Sequence, residues 1–116
     1  MSYTISVGFP KKPDKLVKFL AAEGFKHGKF LDDDTFTFFN KKKSARKILL
    51  IYTENILPAE PMLEYCKSLE AKAIISAPAF RNEFDIEKQE KIAKLLKEKY
   101  KAFLYSPTMG LPYACA

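Results

Sequence analysis

The sequence predicts one α/β domain built on a mixed sheet, with residues 47–53 as the central strand. Four consecutive aliphatic residues at 48–51 leave no polar face, which is typical of a strand covered on both sides. Beyond this strand, helix and strand patterns alternate, which indicates parallel crossover units. At 116 residues and 47% hydrophobic composition, the chain has material for one ordinary core. We therefore expect the order β-α-β-β-β-α-β-α-β in a single domain over residues 1–116, with the helices packed on the sheet.

A strand and a helix come first in the chain. Residues 3–9 alternate between apolar and small or polar side chains, which is the period of a strand with one buried face. Pro13 opens an amphipathic helix, because proline is tolerated in the first helical turn. Gly24 ends this helix, since glycine readily takes the left-handed conformation, and we expect Phe25 to pack back on Leu20.

An antiparallel hairpin follows the helix and leads into the central strand. Residues 29–31 are predicted as a short strand. Three aspartates at 32–34 are predicted as a turn, because adjacent like charges repel and aspartate favours local side-chain hydrogen bonds. Residues 35–40 form the next strand, with Phe36 and Phe38 sharing one face. A lysine-rich turn then connects this strand to the central one.

The second half of the chain alternates between helices and strands. Pro61 opens a helix that carries Cys66 on its apolar stripe, and residues 71–77 form the next strand. Asp85 is the predicted N-cap of the longest helix. Residues 102–105 form the last strand, so the three strands from 47 onward are expected to run parallel.

An apolar tail over residues 106–116 ends the chain, interrupted by two prolines and a glycine. Apolar ends left in water favour association, so we expect the tail to pack on the domain or on a partner. No run approaches the roughly 18 apolar residues of a membrane span, and the N-terminus lacks the pattern of a secretory signal. These observations predict a cytoplasmic protein with no membrane partner.

Positive charge is concentrated in the first half of the chain. The formal net charge is +6, and residues 1–58 hold 11 basic and 6 acidic residues against 9 and 8 in the remainder. Clustered lysines attract polyanions because binding releases condensed counterions. The same lysine-rich composition also suits solubility or the surface of a thermophile's protein. The candidate nucleic-acid-binding residues are Lys11, Lys12, Lys15, Lys18, Lys41, Lys42, Lys43, Arg46 and Lys47.

The carboxyl ends of the predicted parallel strands form a second candidate site. In open α/β sheets, ligands bind at that edge. The polar residues expected there are Thr53, Glu54, Asn55, Arg81, Asn82, Glu83, Ser106 and Thr108. Loops are polar in any case, so this set is compatible with ordinary solvated turns. No glycine-rich phosphate loop accompanies it, and we therefore predict no nucleotide cofactor.

Residues that could bind a metal are present but poorly spaced for it. Three adjacent aspartates at 32–34 have the oxygen chemistry for Mg²⁺ or Ca²⁺, but not the spacing of a calcium loop, which favours a solvated turn. His27 has no nearby cysteine and is interpreted as a surface histidine. Cys66 and Cys115 form no short-spaced metal or redox motif. We predict no metal site and no catalytic residue among them.

The order of elements between Leu16 and Pro78 resembles the catalytic core of the restriction-endonuclease-like superfamily, particularly the Mrr type. The matching segments are residues 22–25, where a helix ends at Gly-Phe, the strand after Asp34, residues 48–53, and residues 73–77 with Phe80. The resemblance covers about half of the chain and rests on the order of elements rather than on a motif.

The resemblance implies a nuclease-like fold that lacks nuclease chemistry. In that family, an acidic residue on the second strand and a Glu-x-Lys pair on the third hold Mg²⁺ and activate water. Asp34 stands near the first position, but the pair falls on residues 51–53, Ile-Tyr-Thr, which cannot bind a metal in this way. What the resemblance leaves is a binding surface on the basic turn.

Three functions therefore remain open. The first is a small, non-catalytic protein that binds nucleic acid nonspecifically, since two arginines are few for base-specific contacts. The second is a structural or assembly protein that dimerises through residues 109–116. The third is an enzyme or small-ligand binder at the strand ends, with Glu54 or Glu83 as acid/base and Arg81 as the anion anchor.

Overall fold

The computed structural model describes residues 3–43, 47–59, 61–64, 68–77 and 82–106, and two α-helices pack on one six-stranded sheet. The chain is therefore mixed α and β, as the sequence predicts. The elements are β1 (Tyr3–Phe9), α1 (Leu16–Ala22), β2 (Lys26–Phe30), β3 (Asp33–Phe38), β4 (Ile48–Thr53), β5 (Ala71–Ala77), α2 (Glu83–Tyr100) and β6 (Phe103–Tyr105). A single 3₁₀ turn at Pro61–Glu64 stands where the predicted helix begins.

The sheet has the strand order β2-β3-β4-β5-β1-β6, and every neighbouring pair is antiparallel. The prediction that the strands at 47–53, 71–77 and 102–105 all run parallel is wrong. β5 runs antiparallel to β4 because the described part of their connection holds only the 3₁₀ turn, with no crossover helix to carry the chain back across the sheet. β5 and β6 do point the same way, but β1 lies between them.

The main core lies between the helices and one face of the sheet, and a smaller buried cluster around Phe103 lies on the other face. Strand residues at every second position of β1 face the main core, and Ile5, Val7 and Phe9 are buried there, as their alternation predicts. From the other side, Leu20 of α1 and Leu96 of α2 join the same apolar cluster. Both helices therefore cover the same face, which we call the helix face.

Strand β4 is an internal strand, but it is not closely covered on both sides as the sequence predicted. Ile48 and Leu50 are fully buried on the helix face. Leu49 and Ile51 point to the other side of the sheet, which we call the opposite face, and are only half-buried. The difference arises because an antiparallel sheet with helices on one side needs only one apolar face.

The C-terminal end of α1 and the N-terminal end of α2 are both capped by local hydrogen bonds. Gly24 has φ +93°, and the amides of Gly24 and Phe25 donate to the carbonyls of Ala21 and Leu20, the pattern of a glycine C-terminal cap. Phe25 is buried in the same cluster as Leu20. This end of α1 confirms the role predicted for Gly24.

The residue that caps the N-terminus of helix α2 is Asn82, and the predicted N-cap Asp85 lies three residues further on. The Asn82 side chain accepts a hydrogen bond from the Asp85 amide at 2.9 Å, and the Asp85 carboxylate accepts one from the Asn82 amide at 3.2 Å. This reciprocal pair is a capping box with Asn as the cap. The prediction of Asp85 as the N-cap is therefore wrong, because Asn82 is the N-cap and Asp85 is the acidic residue at the third helical position of the capping box.

The hairpin of β2 and β3 is longer than predicted. Lys26 pairs with Thr37 and Phe30 with Asp33, so the turn consists of Leu31 and Asp32. Asp33 and Asp34 lie within β3 rather than in the turn, and Leu31 takes the left-handed conformation with φ 56°. A two-residue connection of this kind needs positive φ, which explains why the strands can continue so far.

The C-terminal tail lies largely outside the described residues. Ser106 is buried, and its hydroxyl donates a 2.6 Å hydrogen bond to the carbonyl of Thr4. Residues 107–116 and Cys66 are not described, so the predictions made for them stay predictions. Within the described ranges, no helix is long and apolar enough to cross a bilayer.

One-sided packing of β4 predicts unequal costs for two neighbouring leucines. Leu50→Ala should lower the free energy of unfolding by about 2–5 kcal/mol, because it leaves a cavity in the core. Leu49→Ala removes the same atoms from the half-buried opposite face and should cost less than half as much. Urea denaturation of both variants measures the difference. Equal losses would show that the opposite face is packed as tightly as the helix face.

Candidate functional site

A basic cleft lies on the opposite face, at the end of the sheet where β2 begins, β3 ends and β4 begins. We call this end the basic end, and the cleft measures about 560 Å³. Its wall is formed from three lysines, two threonines and one phenylalanine. These residues are Lys26, Lys41, Lys47, Thr35, Thr37 and Phe39, and Gly24, His27 and Gly28 complete the lining.

The strand register explains why these side chains meet. Lys26 of β2 lies directly opposite Thr37 of β3, and Thr37 lies opposite Leu49 of β4. Directly paired residues point to the same face of a sheet, so the Lys26 and Thr37 side chains stand side by side. Thr35 follows on the same face two residues earlier in β3, opposite Gly28.

Gly28 keeps one part of the cleft floor low. A Cβ atom at this position would lie 3.1 Å from Oγ1 of Thr35, which is tighter than ordinary van der Waals contact. Any larger residue would push against the Thr35 hydroxyl and would also rise into the cleft. Glycine therefore leaves the backbone of β2 within reach of a ligand, as it does where ligands approach a strand closely.

Among the described residues, the Asp, Glu, Lys and Arg side chains that line the cleft are all lysines. Lys26, Lys41 and Lys47 are all exposed, and no Asp or Glu belongs to the lining. Three ammonium groups around one concave surface raise the local potential and attract anions. The threonine hydroxyls add hydrogen-bond donors that suit phosphate oxygens.

The turn at 40–43 is held in place from two directions. The Asn40 side chain accepts a hydrogen bond from the Lys42 amide at 3.0 Å, and its carbonyl accepts one from the Lys43 amide at 3.1 Å. Asn82 at the start of α2 donates its amide Nδ2 to the Lys43 carbonyl at 2.6 Å. The position of Lys41 at the rim of the cleft is therefore tied to the helix layer.

The lysines of this turn do not all point into the cleft. Lys41 lines it, whereas the Lys43 ammonium lies 5.8 Å from the centre of the Phe84 ring, on the helix side. Lys42 is exposed, and Arg46 lies outside the described residues. The structure thus brings together two of the five residues predicted in this segment, Lys41 and Lys47.

The other predicted lysines lie at the far end of the sheet. Lys11, Lys12, Lys15 and Lys18 follow the end of β1, where β4 also ends, and a six-residue strand spans roughly 20 Å. Several acidic residues also lie at this end of the sheet, which we call the acidic end. Lys12 forms an ion pair with Glu54 at 3.1 Å, and its amide donates to Glu70 at 3.0 Å. These four lysines do not join the basic cleft.

The three aspartates and Glu54 form a small recess at the acidic end, together with Tyr52. Burial, followed by the negative charges of Glu54 and Asp34, raises the pKa of Tyr52 to about 12. The phenol therefore stays neutral at physiological pH. Asp34 contacts His27 Nε2 at 2.8 Å, and the imidazole stacks on Phe36 with ring centroids 5.0 Å apart.

No grouping of three or more metal-ligating side chains occurs among the residues that the structure describes. Asp34 contacts His27 instead, and residues 51–53, Ile-Tyr-Thr, occupy the positions where the nuclease-like resemblance would need a metal-binding pair. The recess is therefore an acidic surface, and it repels anions rather than binding them.

The predicted ligand edge is divided between the two ends of the sheet. Thr53, Glu54 and Asn55 follow β4 at the acidic end, whereas Asn82, Glu83 and Ser106 follow β5 and β6 at the basic end. Arg81 and Thr108 lie outside the described residues. The antiparallel pairing of β4 and β5 causes the separation, because antiparallel neighbours end at opposite edges. The eight residues do not form one site.

Sequence reasoning missed seven of the nine lining residues of the cleft, among them Lys26, Thr35, Thr37 and Phe39. The shared face of Thr35, Thr37 and Phe39 was visible in their alternation. Lys26 lies in a segment that was not predicted to be a strand, and only the pairing of Lys26 with Thr37 places it beside them.

Comparisons with known proteins add no relative. No protein-family model, curated protein or solved structure matches the chain. The resemblance to restriction-endonuclease-like proteins therefore stays a prediction, and the function must be argued from the site alone.

Titration of Tyr52 tests the electrostatics of the acidic end. With a pKa near 12 in the fold against an ordinary 10.0, the folded state holds this proton more tightly than the unfolded chain. Its contribution to stability is therefore complete below about pH 10 and is lost as the pH rises toward 12. Tyr52→Phe should remove the last step in the tyrosinate absorbance titration and flatten the alkaline fall in melting temperature.

Glu54→Gln supplies the matched control for this titration. It keeps the phenol but removes a nearby negative charge, so the Tyr52 step should move to lower pH. A late step that survives in the Tyr52→Phe variant, or that Glu54→Gln leaves in place, would contradict this account of the acidic end.

Proposed function

We propose that this protein binds nucleic acid through the basic cleft and contacts phosphates without reading the base sequence. The observation that carries the proposal is the convergence of Lys26, Lys41 and Lys47 on one concave surface with no acidic side chain in its described lining. These lysines come from three different parts of the chain, and the register of the sheet and the tethered turn hold them together.

Phosphate chemistry suits the side chains of the cleft. Lysine ammonium groups act as mobile point charges toward phosphate, and the hydroxyls of Thr35 and Thr37 add neutral donors on the same wall. Such contacts fix a nucleic acid backbone in place but carry no sequence information. Among the described residues, the lining includes no arginine, the residue that most often reads guanine through paired hydrogen bonds.

The distribution of charge favours the basic end over the other lysine cluster. At the acidic end, Lys12 is bound to Glu54, and the aspartates at 32–34 lie close by. A polyanion placed there would meet both signs of charge, whereas at the basic cleft it would meet only one. Lys11, Lys12, Lys15 and Lys18 are therefore left out of the proposed interface.

The two alternative functions have less support from the described residues. The candidate edge, with Glu54 or Glu83 as acid/base and Arg81 as the anion anchor, is divided between the ends of the sheet, and Arg81 lies outside the described residues. Dimerisation through residues 109–116 concerns a segment outside the described residues. The described lining of the basic cleft supports nucleic-acid binding in preference to both alternatives.

Salt dependence is the first test of this proposal. Three phosphate contacts should lower the affinity roughly 20- to 40-fold between about 50 and about 200 mM salt, because each contact releases condensed counterions. Fluorescence anisotropy of a labelled mixed-sequence oligonucleotide measures this slope. An affinity that does not change with salt would overturn the proposal.

A pair of matched triple variants tests the location of the interface. Neutralising Lys26, Lys41 and Lys47 to Gln should reduce the slope of log affinity against log salt by about two to three. Neutralising Lys11, Lys18 and Lys29 to Gln removes the same net charge from the acidic end and should leave most of the slope intact. Equal losses in both variants would mean that net charge, rather than the cleft, governs binding.

A further inference from the structure

Phe39 differs from the other phenylalanines of its strand region. Phe36 is buried, and Phe38 packs against the rings of Phe25 and Phe84 with centroid distances of 5.5 and 6.3 Å. Phe39 is 44% exposed, and no aromatic ring of the described residues packs against it. A single exposed phenylalanine is unremarkable on its own, so its position must decide whether it matters.

The position of Phe39 connects it to the three lysines. It follows β3 directly and lines the same cleft as Lys41 and Lys47. Phe39 and Lys47 are the residues next to the last pair of the β3–β4 ladder, Phe38 and Ile48. An exposed apolar ring therefore lines the same concave surface as three lysine side chains.

Aromatic rings among lysines match the chemistry of single strands. Proteins that bind single-stranded nucleic acid combine a positive groove for the backbone with aromatic side chains on which bases stack. In a duplex the bases already stack on one another, and their faces are not accessible to a protein ring. The cleft volume of about 560 Å³ is in the range of sites that accept a small organic molecule, so a nucleotide base fits its size.

We infer that the basic cleft prefers single-stranded nucleic acid, with an unpaired base stacked on Phe39 and its flanking phosphates near Lys41 and Lys47. The inference rests on the proposed function and adds to it the class of strand that is bound. Gly28 keeps the neighbouring part of the floor low, since a Cβ there would crowd Thr35. The selectivity comes from the face of the base, so any base sequence can satisfy it.

A tryptophan reporter makes the stacking contact directly visible. The chain contains no tryptophan, so Phe39→Trp introduces the only one. Titration with a single-stranded oligonucleotide should quench its fluorescence, because a base stacks on the indole ring. An abasic oligomer with the same number of phosphates should bind with much less quenching. Equal quenching by both oligomers would overturn the inference.

Phe39→Leu tests the energetic contribution of the ring while keeping an apolar side chain. It should weaken single-strand binding roughly tenfold and leave the affinity for the abasic oligomer and for a hairpin duplex nearly unchanged. Unfolding by urea should confirm that the variant remains folded. An unchanged single-strand affinity would show that Phe39 makes no stacking contact.

Phe30 provides a matched control on the other end of the same face. It is 69% exposed, and Phe30→Trp places the sole reporter away from the basic cleft. Quenching of that reporter as strong as at position 39 would overturn the inference.

The outcomes separate the inference from the proposed function. If abasic and base-containing strands bind equally and with a steep salt dependence, the phosphate-binding function stands and the inference falls. If no oligonucleotide binds at low salt, the proposed function itself falls. Preference for the base-containing single strand over both the abasic strand and the duplex supports the inference.

Discussion

Burial of the main core on one face of an antiparallel sheet is the constraint on which the rest of this structure depends. Helices α1 and α2 cover one face, and Ile5, Phe36, Leu50 and Ile75 point into the core from four different strands. Because side chains alternate with a period of two, this burial also decides which residues must face the other way. A shift of one residue in the pairing of two strands would place the core residues on the opposite face. Burial of the apolar face therefore also fixes which side chains pair with one another in the basic cleft.

The position of β1 gives the molecule its second organising feature. The first strand of the chain lies between β5 and β6, so the connection through α2 passes over it and the helix packs on all three strands. The insertion leaves β2 and β6 as the two edges of the sheet. The basic cleft lies at the β2 side, on the part of the sheet that is farthest along the strand order from β6.

The charges of the sheet are separated along its strands. At the basic end, Lys26, Lys41 and Lys47 surround a concave surface, while the aspartates at 32–34 and Glu54 lie at the acidic end. The ion pair of Lys12 with Glu54 partly neutralises the acidic end, and His27 contacts Asp34. The separation allows an anion to approach one end of a chain that also carries many carboxylates, since exposed charges beyond about 10 Å are largely screened by salt.

The sequence by itself determined the class of the fold, the alternation of β1, the extent of β5 and the glycine that ends α1, because each of these depends on residues that are close in the chain. Only the tertiary structure decided the direction of β5 and the insertion of β1, since strand pairing is a contact between distant segments. It also decided the site. The sequence pattern placed Lys11 and Lys41 in one predicted interface because both are basic. Strand pairing instead places Lys26 beside Thr37, and it puts Glu54 and Glu83 at opposite ends of the sheet.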